Sequence, residues 1–151
     1  MESDRFVPFI LYTERISKNI KRLADEKMAP YGLRSSHIMC MLQLAKSQDG
    51  LSSAELSCAC GVDKAFVSRI TNELSEKNYI VRSIGPRQGR YKTKFTLTDE
   101  GKKMHGIITE LISSFIKEIS RNTSDKKLEI FYEILCSIDN ELDFITNKET
   151  K

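Results

Sequence analysis

Between Lys64 and Lys94 the chain carries eight basic side chains, Lys64, Arg69, Lys77, Arg82, Arg87, Arg90, Lys92 and Lys94, against two acidic ones, Glu73 and Glu76. The whole chain of 151 residues has a formal net charge of only +3, so the excess is local. Ammonium and guanidinium groups without a base or a nucleophile beside them bind anions rather than transform them. Clustered along one stretch they suit nucleic-acid phosphates, whose condensed counterions are released as the charges pair. Four of them stand in "GPRQGRYKTKF", residues 85–95, where Gly85, Pro86 and Gly89 turn the backbone. The alternative use of such a loop is to stay soluble and blunt the edges of neighbouring strands.

The other reactive residue types do not assemble into a site. Cys58 and Cys60 have C-x-C rather than zinc-type C-x-x-C spacing, and His37 and His105 lack partners at ligand intervals. No G-x-S-x-G, phosphate-binding glycine loop or H-E-x-x-H occurs. An enzyme, a cofactor and a metal are all unexpected. The chain opens Met-Glu-Ser-Asp without a basic signal-peptide region, and no apolar run approaches the roughly 20 residues of a membrane span. Its four cysteines then read as reduced cytoplasmic thiols, and a membrane partner is not expected. Cys58 and Cys60 are expected to be buried as small hydrophobes, with a redox switch at that pair as the alternative.

What must position the basic stretch is mostly helical. Phe6, Phe9, Ile10, Ile16, Ile20 and Leu23 fall at helical spacing, and Pro30 and Gly32 end that helix. Ser35 or Ser36 can cap a second helix carrying Ile38, Met41, Leu42 and Ala45, which stops near Asp49-Gly50. Ser52 and Glu55 form a capping box for a short helix from Ser53 to about Cys60, closed by Gly61. Asp63 caps the next, which runs to about Lys77. Its Val67, Ile70 and Leu74 make one apolar stripe, leaving Lys64, Ala65, Ser68, Arg69 and Asn72 on other faces. Residues 79–84 and 94–98 then read as two strands flanking the basic loop, an antiparallel hairpin. Thr98, Asp99 and Glu100 start a helix with Met104, Ile107, Ile108, Leu111, Ile112, Phe115 and Ile119 at helical spacing. A last helix from near Ser124 spaces Leu128, Phe131, Leu135, Ile138, Leu142 and Ile145 almost as a heptad seam.

Two short helices joined by a tight turn and followed by a basic-tipped hairpin make a winged helix-turn-helix. Its second helix fits the major groove of duplex DNA, where base pairs differ in donors, acceptors and the thymine methyl. The expected fold is mainly α with a small β-hairpin: a winged helix-turn-helix lobe plus long amino- and carboxy-terminal helices. An alternative use of the same hairpin is a module that binds an acidic protein or RNA.

In "LSSAELSCACGVDKAFVSRITNELSEKNYIVR" (residues 51–82) and "FTLTDEGKK" (residues 95–103) the chain resembles the multiple-antibiotic-resistance regulator (MarR) family of bacterial and archaeal transcription factors. The resemblance covers nearly the whole chain. It implies a single domain, residues 1–151, in which 33–103 form the DNA-binding lobe and 1–32 and 104–151 the dimerisation helices. It implies that Ser52, Ser53 and Arg82 meet phosphate, and that Lys64, Ala65, Phe66, Ser68 and Arg69 line the groove-facing side of the recognition helix. Arg69 can pair bidentately with guanine, Ser68 can bond base or phosphate, and Ala65 or Phe66 can touch a thymine methyl. Phe66 has the core as its alternative place.

Family wings often carry Asp-x-Arg a few residues before Leu-Thr. Here the tip offers Arg87, Arg90 and Lys92 instead, with Arg90 eight residues before Thr98, so either arginine is open as the minor-groove reader. Asn78 stands where glycine is usual, and asparagine tolerates the left-handed conformation.

The resemblance further implies a repressor released by a small aromatic or phenolic effector bound between the dimerisation helices and the DNA-binding lobe, near His37 and Met41. Capping or surface exposure is the competing role for His37. A redox-responsive regulator is the alternative form of control. The apolar faces of Phe6 to Ile10, Leu111 to Ile119 and Leu128 to Ile145 exceed what so small a lobe can cover, so a homodimer is expected, on a pseudo-palindromic operator.

The wing is the part of the chain most directly open to measurement. Arg87→Ala and Arg90→Ala are each expected to weaken duplex DNA binding and to lower its salt slope by about one for each phosphate no longer neutralised. Titrating binding against salt for both variants checks this; an unchanged slope in both would remove the wing from the interface.

Overall fold

A computed structural model describes residues 3–85 and 92–149, which form two compact units dividing between Ile108 and Thr109. The first unit contains α1 (Ser3–Met28), a 3-10 turn (Ala29–Tyr31), α2 (Ser35–Ala45), α3 (Ser53–Cys60), α4 (Lys64–Glu76), β1 (Ile80–Gly85), β2 (Lys92–Leu97) and the start of α5 (Asp99–Ile119). The second holds the rest of α5 and α6 (Asp125–Glu149). The fold is mainly α with one antiparallel hairpin in a winged-helix arrangement, as the sequence reading expects.

Local chemistry sets the helix ends of the first unit. The Ser52 amide donates to Glu55 Oε2 at 2.7 Å and Ser52 Oγ accepts the Glu55 amide at 3.3 Å, the reciprocal pair that starts α3. Gly61 closes that helix at φ 62, a left-handed conformation that costs glycine nothing. Asp63 Oδ1 accepts the Phe66 amide at 2.7 Å and caps the start of α4. Asn78 turns the chain out of α4 at φ 61. Thr98 Oγ1 accepts the Gly101 amide at 2.9 Å and donates to the Asn78 carbonyl at 2.6 Å, so one hydroxyl ties the start of α5 to that turn.

The core of this unit gathers one face from each element. Met41 and Leu44 of α2, Leu56 of α3, Val67, Ile70 and Leu74 of α4, Ile80 of β1, Phe95 of β2 and Ile108 of α5 are all buried. The hairpin pairs Ile80 with Leu97 through to Gly85 with Lys92. Leu51 adds a third, one-residue arm: its amide donates to the Phe95 carbonyl at 3.0 Å and its carbonyl accepts the Phe95 amide at 2.8 Å. A single residue carries no strand periodicity, which is why the sequence reading contains only two strands.

The start of α2 differs from expectation. Neither Ser35 nor Ser36 caps it. The Ser35 amide donates to Asp25 Oδ1 of α1 at 2.7 Å, and the Arg34 amide donates to His37 Nδ1 at 3.0 Å. The orphan amides are thus met by a neighbouring helix and by the helix's own third residue. The helix stops at Ala45, short of Asp49-Gly50. Its buried face is His37, Ile38, Cys40, Met41 and Leu44, whereas Leu42 is half-buried and Ala45 exposed.

Gly101 sits where α5 passes the end of α4. A Cβ there would overlap the Tyr79 carbonyl oxygen, and backbone cannot yield as a flexible side-chain end can. Helix propensity alone makes Gly→Ala favourable by roughly 0.5–1 kcal/mol. Gly101→Ala is nevertheless expected to destabilise by about 2 kcal/mol, the cost of forced overpacking, and denaturant unfolding decides the sign. A gain in stability would show that the close approach is not rigid.

Candidate nucleic-acid interface

The periodicity of α4 makes it two-faced. Val67, Ile70, Thr71 and Leu74 are buried against α2, α3 and β1, and Ala65, Ser68, Arg69 and Asn72 fall on the opposite side at steps of three and four. Lys64, Ala65, Ser68, Arg69 and Asn72 are all exposed. Phe66 lies on the flank, half-buried, so it is neither a core residue nor a free one. Its ring carries the Arg69 guanidinium 5.0 Å from the centroid. That contact narrows the positions open to the arginine, and an exposed cation–π pair of this kind is worth about 0.5–1 kcal/mol.

The two serines at the entry to α3 differ. Ser53 is half-buried, while Ser52 is only 8% exposed and both its amide and its Oγ are engaged in the capping box. Arg82 is exposed on β1 with its guanidinium 5.3 Å from the centroid of Phe95, its cross-strand partner. Lys94 Nζ donates to the Gly50 carbonyl at 3.2 Å, so part of the wing's positive charge holds the fold. Lys92 opens β2, and Arg87 and Arg90 lie outside the described residues.

Behind this face runs a polar contact that sequence reasoning missed. His37 is 1% exposed, against the expectation that it sits at the surface; its capping role stands. Nδ1 accepts the Arg34 amide, so it carries the lone pair, and the proton on Nε2 is donated to Glu73 Oε2 of α4 at 2.7 Å. Arg34 donates to the same oxygen at 3.0 Å. Burial pushes His37 below the ordinary imidazole range, outweighing the upward pull of Glu73, with Arg34 and Lys77 adding to the depression. The hydrogen bond from His37, with help from Arg34, holds Glu73 below the usual carboxylate range. The signal available in sequence was a histidine three residues into a helix that lacks a serine cap; its partner 36 residues away was not readable.

The thiols also depart from expectation. Cys58 is exposed and Cys60 half-buried, because residues two apart on α3 cannot share its one buried face. Cys40 of α2 is the buried one, and its thiol lies beside that of Cys60. Burial pushes Cys40 up to about 12 and raises Cys60 as well, which keeps both protonated and weakly nucleophilic. Among the described residues no group of three His, Cys, Asp or Glu side chains could hold a metal ion. No described helix is long and apolar enough to cross a membrane.

The terminal helices leave apolar side chains bare. In the first unit Phe6 is 59% and Ile10 42% exposed. In the second, Ile119, Phe131, Leu135, Leu142 and Ile145 are exposed and Leu128 and Ile138 only half-buried, so no residue of the expected α6 seam is buried.

The profile of the MarR family matches residues 31–90, from the turn after α1 to the wing. The HTH-type transcriptional regulator PapX of Escherichia coli is 29% identical over 118 residues, which are 78% of this chain and 71% of that one. The crystal structure of a MarR family transcriptional regulator from Silicibacter pomeroyi superposes with a TM-score of 0.77 at 25% identity, over 89% of this chain and 87% of that one. The S. aureus MepR–DNA complex gives a TM-score of 0.78 at 21% identity, over 89% and 97%.

Proposed function

We propose that the chain is a winged-helix transcription regulator of the MarR family, whose profile matches residues 31–90, and that it works as a homodimeric, sequence-specific DNA-binding repressor. The observation that carries this reading is α4: its buried stripe fixes it in the lobe while Lys64, Ala65, Ser68 and Arg69 stand bare on the other side. A helix so held presents bases with a bidentate donor in Arg69, a short hydroxyl in Ser68 and a methyl in Ala65. Phe66 contributes as the platform under Arg69 as well as by touching a thymine methyl. Ser52, Ser53, Arg82, Arg87, Arg90 and Lys92 take the phosphates and the adjoining minor groove, Ser52 from within its cap. MepR, similar in fold, has been crystallised on DNA.

Residues 33–103 form the DNA-binding lobe, and 1–32 with 104–151 the dimerisation helices. The bare apolar residues of α1, α5 and α6 support this, since a second copy is the self-complementary way to cover them. A two-fold axis sets the two α4 helices about 34 Å apart and makes the operator pseudo-palindromic. Repression follows from covering promoter elements. Release by a small aromatic or phenolic effector needs only that it bind one spacing of the two lobes better than the other. The proposed site of action is the cytoplasm.

Selection from a pool of randomised duplexes tests the reading. The protein is expected to enrich an inverted repeat, and Arg69→Ala to relax the preference at one base pair of each half-site by about 1–3 kcal/mol while leaving other positions unchanged. Equal losses on all sequences would remove Arg69 as a base reader. Failure to enrich any duplex would overturn sequence-specific binding.

A further inference from the structure

Glu73 follows Arg69 by one turn of α4, on the flank between the buried stripe and the exposed face. It is the point at which α2 grips that flank by hydrogen bonds: His37 Nε2 at 2.7 Å, from a ring almost wholly buried, and Arg34 at 3.0 Å, from a side chain that is 62% exposed. The exposed arm adds little, as surface ion pairs do. The buried arm fixes the rotation of α4 about its own axis, and with it the direction in which Ser68 and Arg69 point.

We propose, on the basis of the DNA-binding reading above, that His37 is a positioning residue for the recognition helix and that DNA binding requires its neutral ring, so that affinity falls on acidification. The reason is geometric. The ring is used at both nitrogens, Nδ1 accepting from the Arg34 amide and Nε2 donating to Glu73. A second proton would have to go on Nδ1, where it meets the amide hydrogen of Arg34. Two donors cannot share that bond, so the ring must leave its place, breaking the start of α2 and letting go of Glu73. The surroundings do not rescue the cation. Glu73 of α4 faces the ring and favours charge, but Arg34 before α2 and Lys77 after α4 oppose it, with the Lys77 ammonium lying over Gly32. On the α1 side, the Asp25 carboxylate is already engaged by the Ser35 amide.

The linkage has one sign. A histidine held below its ordinary range stabilises the docked state above about pH 6.5, and that contribution is lost as pH falls through the depressed value. General electrostatics predicts the reverse, since acid adds positive charge to the chain and strengthens binding to phosphates.

The test uses the full chain and a fluorescein-labelled duplex enriched by this protein from a randomised pool at pH 7.5. Wild-type affinity, measured by anisotropy at constant ionic strength from pH 8 to 5, should fall once His37 protonates, by about tenfold per pH unit for each bound chain and so up to about a hundredfold for two. His37→Gln, whose amide can still reach Glu73 but does not titrate, should bind with a flat or rising profile. The His37 ring signals of the wild-type chain, followed by NMR, should show the Nε2–H tautomer at neutral pH and a midpoint coinciding with the loss of affinity. That comparison stands even if the variant fails to fold. Superimposed profiles for wild type and variant, or an affinity that ignores His37 protonation, would overturn the proposal and leave the DNA reading intact. A protein that enriches no duplex at pH 7.5 would overturn both.

Discussion

The proposed DNA-binding face of the first unit depends on α4 being buried along one stripe and bare along the other. Val67, Ile70, Thr71 and Leu74 commit one side to the core, which decides which face of this 13-residue helix is left outside. The short helix α3, the turn at Gly61, the Asp63 cap and the Leu51–Phe95 pairing serve to hold that helix at one depth and one angle. The wing follows from the same core, in which β1 with its buried Ile80 packs against α4, and β2 with its buried Phe95 against α2 and α3.

Polar contacts supply what apolar packing leaves undecided. A hydrophobic stripe tolerates rotation by a fraction of a residue, because dispersion and burial are not directional. Hydrogen bonds are. The Thr98 hydroxyl ties the turn after α4 to α5, and the His37–Glu73 contact ties the flank of α4 to α2. Both hold α4 away from its exposed Ser68 and Arg69, the side chains proposed to read bases.

Much of this was readable from the sequence wherever the signal was local. Ser52 with Glu55, Asp63, Gly61, Asn78 and Thr98 act on residues three or four positions away or on their own φ, and the structure places each as expected. The stripe of α4 and the hairpin were readable for the same reason. What escaped the reading joins elements distant in the chain: Asp25 capping α2, His37 reaching Glu73, Cys40 beside Cys60, and Leu51 pairing with Phe95. Nothing in the residues around His37 announces a carboxylate on a helix two elements later. The exposure of Cys58 was misjudged because burial of α3 rests on Leu56 alone, leaving no room for a second side chain two positions on.

The proposed two-fold dimer on two half-sites of one duplex would account together for the bare apolar seams of α1 and α6 and the bare polar face of α4. Hydroxyl-radical footprinting of the selected duplex, at a stoichiometry fixed by sedimentation, tests it most directly. The account predicts two chains per duplex and two equivalent protected patches about one helical turn apart, related by the symmetry of the sequence. A single patch bound by one chain, or protection spread evenly along the duplex, would contradict it.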